Sequence, residues 1–152
     1  MRWFEDLEVG ETRRFGAYEV TREEVLAFAE AYDPQPFHLS DEAAAQTHFG
    51  RLAASGWHTC AMTMRMLVDA GREDPYAGLG SPGVDELRWL RPVFPGDVLS
   101  VETTVTEMRA SRSKPDLGTL HSDVRVFNAD GDAVMTFKSI VLVRRRPEQG
   151  AT

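Results

Sequence analysis

Val25, Phe28 and Ala29 recur in the segment TREEVLAFAEAY at the three- and four-residue intervals that put side chains on one face of a helix. Thr21, with Glu24 three positions on, forms a capping box, so a short amphipathic helix is predicted from there to about Tyr32. Asp33-Pro34-Gln35-Pro36 stops it, because each proline bars its predecessor from helical angles and has no amide to donate. A second short helix is expected after Ser40, in SDEAAAQ. From Ser55 to about Gly71, SGWHTCAMTMRMLVDAG joins an N-cap candidate, a long apolar composition and a terminal glycine. It reads as the central buried helix, with Met62, Met64 and Met66 assigned to the core as filler.

Beyond Gly83 the pattern switches to alternation of apolar and polar residues, in VDELRWLRPV, DVLSVETTVTEM, TLHSDVRVFN and AVMTFKSIVLVRRR. Asn128-Ala129-Asp130-Gly131 is the hairpin turn between the last two, and RRFGAYEV adds a strand pair or one bent strand near the start. A strand, then helices, then successive strands indicates an α+β fold, an antiparallel sheet curled around one long buried helix. Such a sheet leaves an edge to be covered, and pairing with a second copy covers it, so a homodimer is predicted.

Composition narrows the function classes. The chain has 152 residues, enough for one domain over 1–152 with its own core, and 42% apolar with 27% charged residues exclude disorder as the main state. A net charge of −7 argues against nucleic acid as a partner, since counterion release needs a basic face. Cys60 is the lone cysteine, so no internal disulfide can form, which suits a reducing compartment. The start MRWFEDLEVGE is acidic where a leader needs an apolar run, and no stretch approaches the roughly 18 apolar residues of a span, so a cytoplasmic protein without membrane attachment is expected.

Two places hold residues suited to chemistry. Asp33 and His38 are about 16 Å apart if the chain between them is extended, so they share a substrate only if it bends, as its prolines favour. A carboxylate and an imidazole converging on one water can remove its proton and supply one to carbon, with Phe37 as a partly apolar wall that shifts their pKa values. The plainer alternative is a helix-end turn residue and a surface histidine. Ala54-Ser55-Gly56-Trp57-His58 lies at the predicted start of the buried helix, where unpaired amides point outward and the dipole favours negative charge. Gly56 would let a ligand oxygen reach the backbone, an oxyanion effect worth roughly 3 kcal/mol per donor; alternatively, the glycine serves close helix–sheet packing. Ser55, Trp57 and Phe37 are counted with Gly56 as substrate-binding candidates.

YDPQPFHLSDEAA, followed by THFG, LAASGWHT and LRWLRPVFPGDVL, resembles the MaoC-like hydratase/dehydratase family, which includes the (R)-specific enoyl-CoA hydratases. The likeness runs in order over about residues 1 to 145, and D-P-Q-P-F-H stands where that family has D-x-N-P-x-H. The resemblance implies a hot-dog fold, a dimer, and reversible syn addition of water to a 2-enoyl thioester. It also implies that Asp33 and His38 orient and activate the water while Gly56 donates its amide to the thioester oxygen. No cofactor is expected beyond coenzyme A as part of an acyl-CoA substrate. Gln35 replaces the signature's Asn, and Phe37 replaces a small aliphatic residue and would narrow the acyl pocket. The polar residue that often follows in the family's buried helix falls near Thr63 or Met64.

Other signals are set aside. Gly78-Leu79-Gly80-Ser81-Pro82-Gly83 spells G-x-G-x-x-G, but it precedes a strand instead of opening a helix and contains a proline. His38, His48 and His58 at intervals of ten match no metal-site spacing, so no metal is expected, and His48 and His121 read as structural or solvent-exposed. No G-x-S-x-G elbow supports a serine hydrolase. Arg144-Arg145-Arg146 reads as a solvated polar end, while Arg88, Arg91, Arg109, Arg112 and Lys114 are equally eligible to hold the phosphates of coenzyme A. Two alternatives to a hydratase stay open: an acyl-CoA thioesterase on the same fold, and a non-catalytic acyl-thioester-binding subunit.

Overall fold

Strand β1 (Thr12–Glu19) leads into α1 (Arg22–Tyr32), a single 3-10 turn (Pro36–His38), α2 (Asp41–Ala45) and α3 (Gly56–Glu73). Then come β2 (Gly83–Trp89), β3 (Val98–Ala110), β4 (Leu117–Phe127) and β5 (Ala133–Arg144), in a computed structural model that describes residues 1–147. The strands form one antiparallel sheet in the order β1-β3-β4-β5-β2. Along β4, Leu120, Ser122, Val124 and Val126 are buried while the residues between them are not, the period of two that a sheet with one covered face requires. That covered face meets Met62 and Met66 of α3, and Val20, Leu52, Leu99, Val101, Val134 and Met135 complete the same core. A curved antiparallel sheet wrapped around one helix is the hot-dog arrangement.

Local signals act largely as expected. The Thr21 hydroxyl accepts from Glu24 N–H at 3.2 Å. The return half of the box is replaced, because the Glu24 carboxylate takes the Tyr18 hydroxyl at 2.8 Å. Asn128 accepts from the amides of Asp130 and Asp132 through its side-chain oxygen, both at 3.1 Å, and closes the β4–β5 hairpin. β1 is one bent strand: its register slips between Phe15 and Tyr18, where Gly16 sits at φ +85°. A Cβ there would meet the Met66 side chain, 3.0 Å from its Cγ, so this bend admits α3 against the sheet.

Three expectations are corrected. Gly71 does not end α3, since it keeps a negative φ and the helix runs on to Glu73, where Asp74 N–H bonds Ala70 O at 3.2 Å. The helix is buried on one face only, through His58, Thr59, Met62, Thr63, Met66 and Ala70. Met64 is 57% exposed, because it lies two positions from Met62, about 200° around the axis. The terminal arginines are not merely solvated: Arg145 pairs with Glu5 at 2.8 Å and Arg146 with Asp6 at 2.6 Å, tying the end of β5 to the N-terminal segment. Gly78 bridges to Val143 and Gly83 opens β2, so the glycine-rich stretch precedes no helix. Among the described residues no helix is long and apolar enough to cross a membrane.

Candidate active site

At the end of α1, Asp33 N–H still bonds Ala29 O at 2.9 Å, but Asp33 itself leaves helical angles at φ −146°, ψ 66°. Gln35 N–H then returns to Asp33 O at 2.8 Å, and His38 N–H to Gln35 O at 2.9 Å. The two prolines thus fold the segment into a tight turn, and Asp33 Oδ2 stands 3.5 Å from His38 Nε2. His38 is 6% exposed and Asp33 18%, so the pair is recessed but reachable.

Each member is held by a second contact. Ser55 Oγ donates to Asp33 Oδ2 at 2.7 Å, and Gln35 Nε2 donates to Asp33 Oδ1 at 2.6 Å. Partial burial pushes the Asp33 carboxyl up, but those two hydrogen bonds, aided by His38 when its ring is protonated, outweigh it and hold the group below the usual carboxylate range. His38 Nδ1 lies 2.7 Å from Ala53 O. A carbonyl only accepts, so Nδ1 carries a proton, and in the neutral ring Nε2 is the acceptor that faces Asp33.

Gly56 is the first residue of α3 and Ser55 its N-cap, yet the Ser55 hydroxyl is spent on Asp33 and not on the helix. Ser55 O receives His58 and Thr59 N–H, whereas the Gly56 and Trp57 amides donate to no protein acceptor among the described residues. They are two free donors at the positive end of an 18-residue helix. The indole of Trp89 lies against Gly56 and donates to its carbonyl at 3.0 Å. A Cβ on Gly56 would fall 2.7 Å from Trp89 Cδ2, so close packing with β2 requires the glycine, and the same packing leaves its amide open.

These parts face one cavity of about 460 Å³, within the range of small-molecule sites. Asp33, His38, Gly56 and Trp57 line it, joined by Gln35, Thr59, Trp89, Phe49 and Arg91. Two of the substrate-binding candidates sit elsewhere. Ser55 is fully buried behind Asp33, and Phe37 is not on the cavity wall but packs edge-on against His38 at 4.7 Å and beside Phe49 at 5.4 Å. Consecutive residues of a 3-10 turn diverge by about 120°, so with His38 inward Phe37 must point aside. Phe49 provides the aromatic wall instead, and His48, solvent-exposed as expected, stands beside the cavity with its ring 4.1 Å from that of Phe49.

Thr59, Trp89 and Phe49 are not among the candidates the sequence offers, whereas Arg91, one of the cations eligible to hold phosphate, stands on the cavity wall. Phe49 and Trp89 lie within the family-like segments THFG and LRWLRPVFPGDVL, which was the one available signal; nothing local marked Thr59. Thr63, the expected polar position in α3, is buried and donates to Thr59 O at 2.8 Å, while Met64 points outward. His58 also stays out of the cavity: it stacks on Phe28 at 4.8 Å, and burial pushes its pKa down against a weaker opposing pull from Glu24.

The chain is thus a hot-dog domain in which a recessed carboxylate–imidazole pair shares a cavity with free amides at a helix start. Residues 6–126 match the model of the MaoC like domain. A 3-hydroxybutyryl-CoA dehydratase of Methylorubrum extorquens is 33% identical over 135 residues, covering 88% of this chain and 82% of the relative. The crystal structure of a MaoC-like dehydratase from Rhodospirillum rubrum superposes with a TM-score of 0.88 at 44% identity, over 95% of this chain and 98% of that one. An (R)-hydratase from A. caviae involved in PHA biosynthesis superposes at 0.66 with 28% identity, over 93% and 98%. The chain is a member of the MaoC-like dehydratase family.

Proposed function

We propose that the protein adds water reversibly to 2-enoyl-CoA thioesters to give (R)-3-hydroxyacyl-CoA, or runs the reverse dehydration. The observation that carries this reading is the convergence of Asp33, His38 and the Gly56 end of α3 on one cavity. Asp33 Oδ2 and His38 Nε2 are two acceptors 3.5 Å apart, and each takes one O–H of a single water. Asp33 receives a proton as the water oxygen bonds C3, and the C2–C3 π pair moves onto the thioester oxygen, where Gly56 N–H stabilises it. The proton passes to C2, so the water's oxygen and one hydrogen end on C3, the other hydrogen on C2, and the pair is restored. Delivery from one side makes the addition syn. No cofactor or metal enters the scheme, and coenzyme A is part of the substrate. The relatives support the substrate class, one being a 3-hydroxybutyryl-CoA dehydratase and another an (R)-hydratase.

With crotonyl-CoA, the enoyl absorbance is expected to fall without release of free thiol. Thiol released from a saturated acyl-CoA would transfer the assignment to the thioesterase, and tight acyl-CoA binding without turnover would transfer it to the binding subunit.

The working unit in this reading is a homodimer in a reducing, cytoplasmic setting, the second point supported by the free thiol of Cys60. β2 is a sheet edge with Val84 and Trp89 exposed and Leu90 exposed just past its end, and Trp57, Met64 and Val68 form an outward apolar stripe on α3. Trp57 and Trp89 belong both to this surface and to the cavity wall, so a second copy covering it would also close the site. Sedimentation is expected to show two-chain particles for the wild type and single chains once Met64→Glu and Val68→Glu are combined; a monomeric wild type would refute the dimer.

A further inference from the structure

Among the described residues, Arg91 is the sole arginine or lysine on the wall of the cavity. Its neighbours hold it firmly. Leu90 and Arg91 N–H both approach Val134 O, at 2.8 and 3.4 Å, and Pro92 restricts the Arg91 backbone from the other side. Ala54 N–H bonds Val93 O at 2.8 Å, so the segment carrying Arg91 is tied directly to the stretch that receives His38 at Ala53 O and leads into Gly56. The guanidinium itself is uncommitted: among the described residues it donates no hydrogen bond, and the nearest carboxylate, Asp132 Oδ2, is 3.9 Å away with both groups well exposed. Such a pair contributes little by itself.

The other eligible cations differ. Arg109 is taken by Glu107 at 2.5 Å, Arg88 donates to Leu87 O at 2.9 Å, and neither Arg112 nor Lys114 lines the cavity. Asp33, by contrast, places a carboxylate in the cavity, and the chain as a whole carries −7, so an anionic ligand enters against the field unless one locus attracts it.

We propose that Arg91 is the anion-reading, specificity-determining residue of this site, holding an anionic oxygen group of the thioester: a phosphate of the coenzyme A arm or a carboxylate on the acyl part. The planar fork of an arginine donates two parallel N–H bonds to either group, which a lysine does not. This rests on the thioester reading of the cavity given above.

The test compares wild type, Arg91→Gln and Arg91→Lys on crotonyl-CoA, crotonyl-pantetheine and a 2-enoyl-CoA bearing a second carboxylate. Arg91→Gln is expected to raise KM by about ten- to a hundred-fold, the effect of one charge-assisted contact, with kcat nearly unchanged, and Arg91→Lys to recover part of the loss. A phosphate contact gives the loss with both CoA substrates and none with crotonyl-pantetheine; an acyl carboxylate contact confines it to the carboxylated substrate. An unchanged KM throughout, an equal loss on all three, or a fall in kcat matching the rise in KM overturns the inference. If the wild type hydrates none of them, the hydratase reading fails separately, and the same three ligands are titrated against the fluorescence of Trp57 and Trp89, which line the cavity. Weaker binding by Arg91→Gln, with the same ligand selectivity, then still upholds the inference; equal binding or no binding by wild type overturns it.

Discussion

Asp33→Asn is expected to lower kcat for enoyl-CoA hydration by about 10²- to 10⁴-fold while KM stays within about threefold. The substitution keeps the shape that Ser55 and Gln35 grip, so the loss reflects the missing base and not a displaced turn. The pH profile separates the two further. Because the folded-state pKa of Asp33 is depressed, the active carboxylate form is present above the ordinary carboxylate range, and activity falls only when pH drops through the lower folded value. The stability contributed by the ionised group is likewise present above the unfolded value and lost as pH falls through the folded one. Ser55→Ala removes a donor to the charged form, so the acid limb of kcat is expected to move upward; an unmoved limb would show that another group titrates. Equal rates for wild type and Asp33→Asn would remove Asp33 from the mechanism.

Gly56→Ala is expected to cost both stability and turnover. At an ordinary helix start, alanine would gain about 0.4–1 kcal/mol over glycine by restricting the unfolded chain. Here the new methyl lands 2.7 Å from Trp89 Cδ2 and 2.8 Å from Nε1, and overpacking of that kind costs about 1–3 kcal/mol, so destabilisation wins. The indole must shift, and it lines the cavity while holding Gly56 O, so the amide beside it loses its fixed aim. A fall in kcat of at least about tenfold is expected, in the direction of a lost oxyanion donor. Urea unfolding of the single variants and of Gly56→Ala with Trp89→Leu measures the coupling: the second change should return part of the lost stability. A Gly56→Ala protein as stable and active as wild type would show that neither the packing nor the amide is needed.

Much of this was legible in the chain. Helix α1 from Thr21, the breaks at Pro34 and Pro36, the Asn128 turn and the alternating strands all depend on neighbours within a few residues, and so did the inference that Asp33 and His38 meet across a bend. A recurring motif supplied the family. Where contacts at long sequence separation decide, local reading failed. Ser55 does sit at the N-cap that the pattern marks, but its hydroxyl goes to Asp33, 22 positions away, instead of to the helix, and the partner that Gly56 packs against, Trp89, lies 33 positions on. Composition puts Met64 in the core, and the structure leaves it exposed, because composition does not show which side of a helix the sheet covers.

Periodicity, capping and turn chemistry are properties of short segments, so the order of elements and the residues fit for proton transfer could be named before any fold was known. Which donors settle the charge of Asp33, which aromatic walls the cavity, and which arginine stands free beside it depend on how α1, α3 and β2 are brought together. That arrangement is set by burial of the shared core, whose contacts join residues far apart along the chain.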